Sequence, residues 1–202
     1  MKCNIYEQIH THLLKQSDQF CSLHEIIKNN GIIKIPKNEI TFFDFLVKTI
    51  ISQQISSKAA DSIWTKITKI LQKESICLLD FLSLPKKALS LKKIGISKQK
   101  YNYIQNIHEK ILTNGLNESD LGNLNFEKIK ERLIKYKGVG EWTCNMIGIF
   151  YFQEKNIWPK NDLIIKKTSG WIQKKENQEI NFEIIFRPYL SVLALHFWKH
   201  SD

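Results

Sequence analysis

The spacing of apolar residues predicts an all-α fold, on three observations. Apolar side chains recur at three- and four-residue steps, no clean run of period two survives, and turn-forming residues fall at short intervals that punctuate short helices. Isoleucine is too abundant for its strand preference to be taken at face value, so spacing decides. Ser56 and Ser57 can start a helix in which Ala60, Ile63, Trp64, Ile67, Ile70 and Leu71 share one face. Tyr101, Ile104, Ile107, His108 and Ile111 repeat the pattern. Phe126, Ile129 and Leu133 mark an amphipathic helix, and Met146, Ile149 and Phe150 an apolar one. After Arg187, Pro188 suits a first helical position, followed by a stripe of Tyr189, Leu190, Leu193, Ala194, Phe197 and Trp198. Breaks fall at Asn29-Asn30-Gly31, near Pro36, at Leu84-Pro85, at Ile94-Gly95, from Asn114 to Asn125, and at Trp158-Pro159. With no internal repeat and no Gly/Ser-rich linker, the chain reads as one helical unit.

Composition narrows the partners. Of 202 residues 43% are hydrophobic and 11% aromatic, which excludes a disordered or low-complexity chain. Thirty Lys and Arg against twenty Asp and Glu leave a formal charge of +10, which suits an anionic partner such as nucleic acid, a membrane face or an acidic protein, and equally a merely soluble basic surface. Cys3, Cys21, Cys77 and Cys144 lie far apart with no Cys-x-x-Cys, as expected of reduced thiols in an intracellular protein of the cytoplasm and nucleoid, or of a nucleus. The longest apolar run, Met146 to Phe152, is far below the roughly 20 residues of a membrane span, and the first residues lack the apolar core of a signal peptide.

The sharpest short motif is Leu133-Ile134-Lys135-Tyr136-Lys137-Gly138-Val139-Gly140-Glu141-Trp142-Thr143, between two helical patterns. Glycines two apart, without Cβ atoms, let a phosphate approach the N–H groups that open the second helix, where the helix dipole adds attraction. Such a contact reads backbone and carries little sequence preference. The same glycines also suit a plain tight turn.

Here the chain resembles the helix-hairpin-helix (HhH-GPD) DNA glycosylases, in the DNA-3-methyladenine glycosylase II branch. The segment from Phe45 through Ile51-Ser52-Gln53-Gln54-Ile55-Ser56-Ser57-Lys58-Ala59 to Ala60 is similar to the branch's Q-Q-[VI]-S-x-K-A-A stretch, and Ile94-Gly95-Ile96-Ser97-Lys98-Gln99-Lys100 to its G-[LI]-S-x-x-K stretch. The hairpin and Ile157-Trp158-Pro159-Lys160-Asn161-Asp162-Leu163 follow in the same order, and Arg187 to Val192 with Trp198 resemble the closing helix. The resemblance implies a two-lobed all-α fold with its active site in the cleft between lobes, a middle lobe over about residues 45–153 including the hairpin at 133–143, and an outer lobe from about 1–44 plus 154–202. It implies a monomer that acts on damaged double-stranded DNA without a membrane.

The chemistry follows from that family. Removing a base from its sugar develops a cation on the sugar, which calls for a fixed negative charge and a water. By resemblance Asp162 supplies the charge; locally, Asp162 is equally a helix N-cap for Leu163-Ile164-Ile165. Lys160, Asn161 and Lys166 are its candidate tuning neighbours. Members that also cut the strand carry a nucleophilic lysine two residues beyond the second hairpin glycine, and Trp142 stands there, so water is the expected nucleophile and an abasic site the product. An alkylated purine carries positive charge and leaves without a proton donor, so an aromatic pocket suits it. Trp142, Trp158 and Phe43 are candidates, with Met146 where the family has a stacking tyrosine. Gln54, beside Gln53, corresponds to the wedge that fills the gap left by a flipped base.

The resemblance further implies DNA contacts at Gly138, Val139, Gly140, Thr143, Gln53 and Gln54, and a monovalent Na+ or K+ on the main-chain carbonyls of Ile134, Tyr136 and Val139. No other cofactor is implied. An iron–sulfur cluster is excluded because no cysteine follows Cys144. His196 and His200, four apart, lack a third metal ligand. The expected function is monofunctional excision of alkylated bases, chiefly 3-methyladenine, in base excision repair. The alternatives are another lesion, such as uracil or hypoxanthine, on the same scaffold, or a DNA-binding module without catalysis.

Overall fold

The computed structural model describes residues 4–114, 121 and 124–201. Among these residues the chain forms twelve α-helices and one 3-10 helix, without a β-strand. In order they are α1 (Ile5–Ser17), α2 (Cys21–Asn30), α3 (Phe42–Ser52), α4 (Ser57–Glu74), α5 (Leu78–Leu82), α6 (Pro85–Ala88), the 3-10 helix (Leu89–Ile94), α7 (Lys98–Asn114), α8 (Phe126–Leu133), α9 (Glu141–Phe150), α10 (Leu163–Glu176), α11 (Phe182–Ile185) and α12 (Leu190–Ser201). Among the described residues no helix is long and apolar enough to cross a membrane.

Caps explain several boundaries. Ser56 accepts the Ala59 N–H at 3.2 Å and opens α4, as its position before an apolar stripe predicts. On that stripe only Ala60 and Ile67 are fully buried. Asn125 accepts the Lys128 N–H at 3.0 Å and opens α8; the rest of the expected Asn114 to Asn125 break lies largely outside the described residues, as does Cys3. The last helix corrects its expected start. The Arg187–Pro188 bond is cis, Tyr189 N–H closes a turn on Phe186 O at 2.9 Å, and α12 begins at Leu190 instead of Pro188. Leu190 through Ala194, His196 and Phe197 are all buried, so α12 is enclosed nearly all round, not along one stripe.

The chain forms two compact units. Residues 39–147 make one, around α3, whose Leu46, Val47 and Ile50 are fully buried and which packs on α4, α5 and α7. Buried His108 is satisfied there by Leu79 O at 2.9 Å and Ser83 Oγ at 3.2 Å. The segments before residue 39 and after residue 147 make the other, in which α2, α10 and α12 pack on one another around Leu23, Ile27, Ile172, Leu193 and Phe197. The chain passes from one to the other within α9, between Ile147 and Gly148.

Two features of this packing have measurable consequences. The turn between α8 and α9 needs Gly138: its φ is +94°, and a Cβ would fall 2.3 Å from Cγ of Tyr103. A Cβ on Gly140 meets nothing within 4 Å. Gly138→Ala is therefore expected to lower stability by about 2–4 kcal/mol through strain and overpacking, and Gly140→Ala by no more than about 0.5 kcal/mol; urea unfolding of both variants checks this. The second feature is His196 on α12, fully buried beside His10 with ring centroids 6.2 Å apart and neither of its ring nitrogens partnered among the described residues. Burial, with His10 and Lys199 adding repulsion, pushes its pKa down to about 3. The unfolded chain then takes up a proton that the folded chain refuses, so stability is full above about pH 6.5 and falls with pH by up to about 1.4 kcal/mol per unit. Thermal melts from pH 8 to pH 4 are expected to show this decline, and His196→Leu to flatten it.

Candidate functional site

Asp162 is delivered to its place by a turn and fixed there by a helix. After Trp158-Pro159 the chain folds back, with the Asp162 N–H on Pro159 O at 2.8 Å, and α10 starts at the next residue. The carboxylate caps that helix, its Oδ1 accepting the N–H groups of Ile164 at 2.9 Å and Ile165 at 3.1 Å. The indole N–H of Trp198 on α12 reaches the same oxygen at 3.0 Å. Three donors therefore converge on Oδ1, and Asp162 is buried, 9% exposed, at the positive end of a helix dipole. Capping and catalytic placement are compatible uses of one side chain.

α12 secures this segment at a second point. Buried Ser191 donates its N–H to Lys155 O at 2.9 Å, and its hydroxyl oxygen accepts the Ile157 N–H at 2.9 Å, pinning the strand of chain that leads to Asp162. Sequence reasoning placed Trp198 and Ser191 in the closing helix but not as supports of the carboxylate. The indole of Trp198 also packs on Phe150, with ring centroids 5.7 Å apart. Leu163, immediately after the carboxylate, is 80% exposed, so the helix entrance beside Asp162 is not covered within its own unit.

In the other unit, the hairpin between α8 and α9 is fastened by α3. Gln53 donates from Nε2 to Gly138 O at 2.8 Å and to Thr143 Oγ1 at 2.9 Å. Thr143 is buried, 1% exposed. The polar atoms of Gln53 and Thr143, both expected to meet DNA, are engaged with each other and with the turn. The Val139 side chain is buried and its N–H closes the turn on Tyr136 O at 3.0 Å. Gly140 remains open above its Cα, and Glu141 at the start of α9 is drawn toward Lys130 at 3.4 Å, away from unopposed negative charge at the hairpin.

Gln54 differs from Gln53. It is exposed and holds a left-handed backbone, φ +58°, which costs a non-glycine residue about 1–2 kcal/mol. The strain is held by Lys100, the last residue of the Ile94–Lys100 motif. Its ammonium donates to Ile51 O at 2.7 Å and Gln53 O at 2.6 Å, closing the carbonyl end of α3, whose last turn has no basic residue of its own. Partial burial lowers the pKa of Lys100. The signal in the sequence was that lack of a cation at the end of α3.

The expected pocket residues separate. Trp142 and Met146 stand one turn apart on α9, Trp142 half-buried and Met146 only 7% exposed. Phe43 is buried, with its ring 6.2 Å from that of His108. Trp158 is half-buried, stacked on Phe182 at 5.7 Å and edge-on to Phe197 at 5.4 Å. Among the described residues no group of three His, Cys, Asp or Glu is placed to hold a metal ion. The expected cation donors differ in setting: Ile134 is half exposed, Tyr136 O already accepts one hydrogen bond, and Val139 is buried.

Comparison with known proteins bears on the whole arrangement. A DNA-3-methyladenine glycosylase of Schizosaccharomyces pombe is 25% identical over 171 residues, 79% of this chain and 72% of its own length. An alkylbase DNA glycosidase-like protein of the same yeast is 25% identical over 206 residues, 96% of this chain and 93% of its own. The solved structure of the S. pombe 3-methyladenine DNA glycosylase in complex with abasic DNA superposes with a TM-score of 0.78 at 22% identity, covering 96% of both chains, a likeness of fold. Residues 47–186 match the profile of the HhH-GPD superfamily base excision DNA repair proteins. Because that match takes in both the fastened hairpin and Asp162, this chain belongs to the HhH-GPD superfamily of base excision DNA repair proteins.

Proposed function

We propose that this protein removes alkylated bases, chiefly 3-methyladenine, from duplex DNA by hydrolysing the bond between base and sugar, leaving an abasic site in an uncut strand. The observation that carries the reading is Asp162, a buried carboxylate held on one oxygen by two helix N–H groups and the Trp198 indole, in a chain whose relatives are named 3-methyladenine glycosylases. Capping of α10 accounts for two of the three donors on Asp162, and a carboxylate turned toward DNA on a basic protein is of use to a glycosylase beyond that cap.

The damaged nucleotide is turned out of the stack, and exposed Gln54 fills the gap. A 3-methylated adenine is cationic, so when the C1′–N9 bond breaks its electron pair neutralises the base, which leaves without a proton. Positive charge passes to C1′ and the ring oxygen of the sugar, where the Asp162 carboxylate stabilises it. A water oxygen then bonds to C1′ and gives up a proton by way of the carboxylate. With Trp142 two residues past Gly140, that position offers no amine to attack the sugar, so water takes the step. Open Gly140 at the start of α9 admits a DNA phosphate, and Lys135 and Lys137 beside it are exposed cations. The carbonyls of Ile134, Tyr136 and Val139 are hard oxygen donors of the kind Na+ or K+ takes, and a bound ion would add positive charge near that phosphate. The half-buried indole of Trp142 supplies the aromatic face for a cationic base. The protein acts as a monomer on damaged duplex.

The wild-type protein is expected to release free 3-methyladenine from alkylated duplex, with strand breaks only after alkali. Asp162→Asn is expected to slow release by about 10²–10³-fold or more, as for loss of an electrostatic catalytic group, with duplex affinity retained. Base release by the variant at the wild-type rate would refute the role of Asp162, and breaks without alkali would refute water as nucleophile. Trp198→Phe keeps the ring but removes the third donor on Oδ1; a charge-assisted hydrogen bond of this kind predicts about a tenfold slower single-turnover rate, measured at saturating duplex.

A further inference from the structure

Resting on the function proposed above, we infer that Gln53 and Lys100 are positioning residues that make the exposed Gln54 loop and the phosphate-facing hairpin one rigid element. The argument starts from the end of α3. Its final carbonyls have no intrahelical partners, and an ammonium there gains both from hydrogen bonding and from the negative end of the helix dipole. Lys100 supplies it from α7, gripping Ile51 O and Gln53 O. Holding the Gln53 carbonyl sets the direction in which the chain leaves the helix, and the next residue, Gln54, turns left-handed into solvent.

The Gln53 side chain points the other way, inward to the hairpin. One amide group reaches the carbonyl of the one hairpin glycine with a positive φ and the hydroxyl of buried Thr143, one turn into α9. Those two atoms flank Gly140 to Trp142, the stretch whose amides open α9. Tyr103, one turn after Lys100 on α7, closes the back of Gly138, with its ring where a Cβ would fall. The wedge loop and the hairpin, 84 residues apart in sequence by Gln54 and Gly138, are thus set by two consecutive glutamines and two residues of one helix. A fixed geometry between wedge and phosphate contact is what a protein needs if phosphate binding is to drive the wedge into the stack.

Equilibrium binding to undamaged duplex at several salt concentrations tests this, alongside single-turnover base release. Gln53→Ala is expected to raise Kd about tenfold and to reduce the slope of log K against log salt by about one, the loss of one phosphate contact; the saturating rate falls by less than the affinity. Lys100→Met is expected to weaken binding in the same way, with Lys100→Arg restoring it. Thr143→Val, a near-isosteric change that guards against misfolding of the others, should weaken binding by a smaller factor, and its effect should not add to that of Gln53→Ala. Variants that melt at the wild-type temperature but keep wild-type Kd and salt slope would overturn the inference while leaving the glycosylase reading intact. A wild-type protein that binds no duplex would overturn both.

Discussion

Each α-helix leaves four amide hydrogens unpaired at its start and four carbonyls at its end, and a protein built of short helices meets this demand many times over. In this chain the residues of functional interest are those that answer it. Asp162 satisfies two amides at the start of α10. Lys100 satisfies the carbonyls closing α3, and Gln53 ties that closed end to the turn between α8 and α9. A helix end is where backbone charge is concentrated and where a side chain is held most firmly, so one arrangement serves folding and chemistry together.

The proposed role of the carboxylate is compatible with its use as a cap. Burying a charge is costly unless it is hydrogen-bonded, and a helix N-terminus provides N–H groups at no further cost in ordering. Adding the Trp198 indole fixes the carboxylate in rotation as well as position. Ser191 from the same helix holds the approach to it. The polar atoms of α12 therefore act on the site, while its apolar residues build the core around Leu193 and Phe197.

How far the sequence could be read depended on distance along the chain. Ser56 as a cap, Asp162 as a cap, and the stripe on α7 were all readable within a few residues, because helix periodicity and capping are local rules. The two hairpin glycines looked equivalent, yet only Gly138 is demanded by packing, and the ring that demands it belongs to Tyr103, 35 positions earlier. Gln53 with Thr143, 90 positions apart, and Asp162 with Trp198, 36 apart, are pairings that no local pattern announces. Phe43 is buried on an apolar helix, and whether such an aromatic residue serves core or pocket is decided by tertiary structure, which no local pattern carries. The start of α12 was misjudged because the cis bond before Pro188 and the turn to Tyr189 displace the helix by two residues.

The division of the chain has a further consequence for biosynthesis. The unit of residues 39–147 is continuous, whereas the other is completed only by segments on both sides of it. On a ribosome, α2 emerges before α10 and α12, the helices that cover it. At translation rates of about 5–20 residues per second, Trp198 follows Ile147 by an interval on the order of several seconds. The hairpin unit can therefore be folded while the carboxylate still lacks its indole partner. During that interval the face of α2 that α10 and α12 cover is open to solvent.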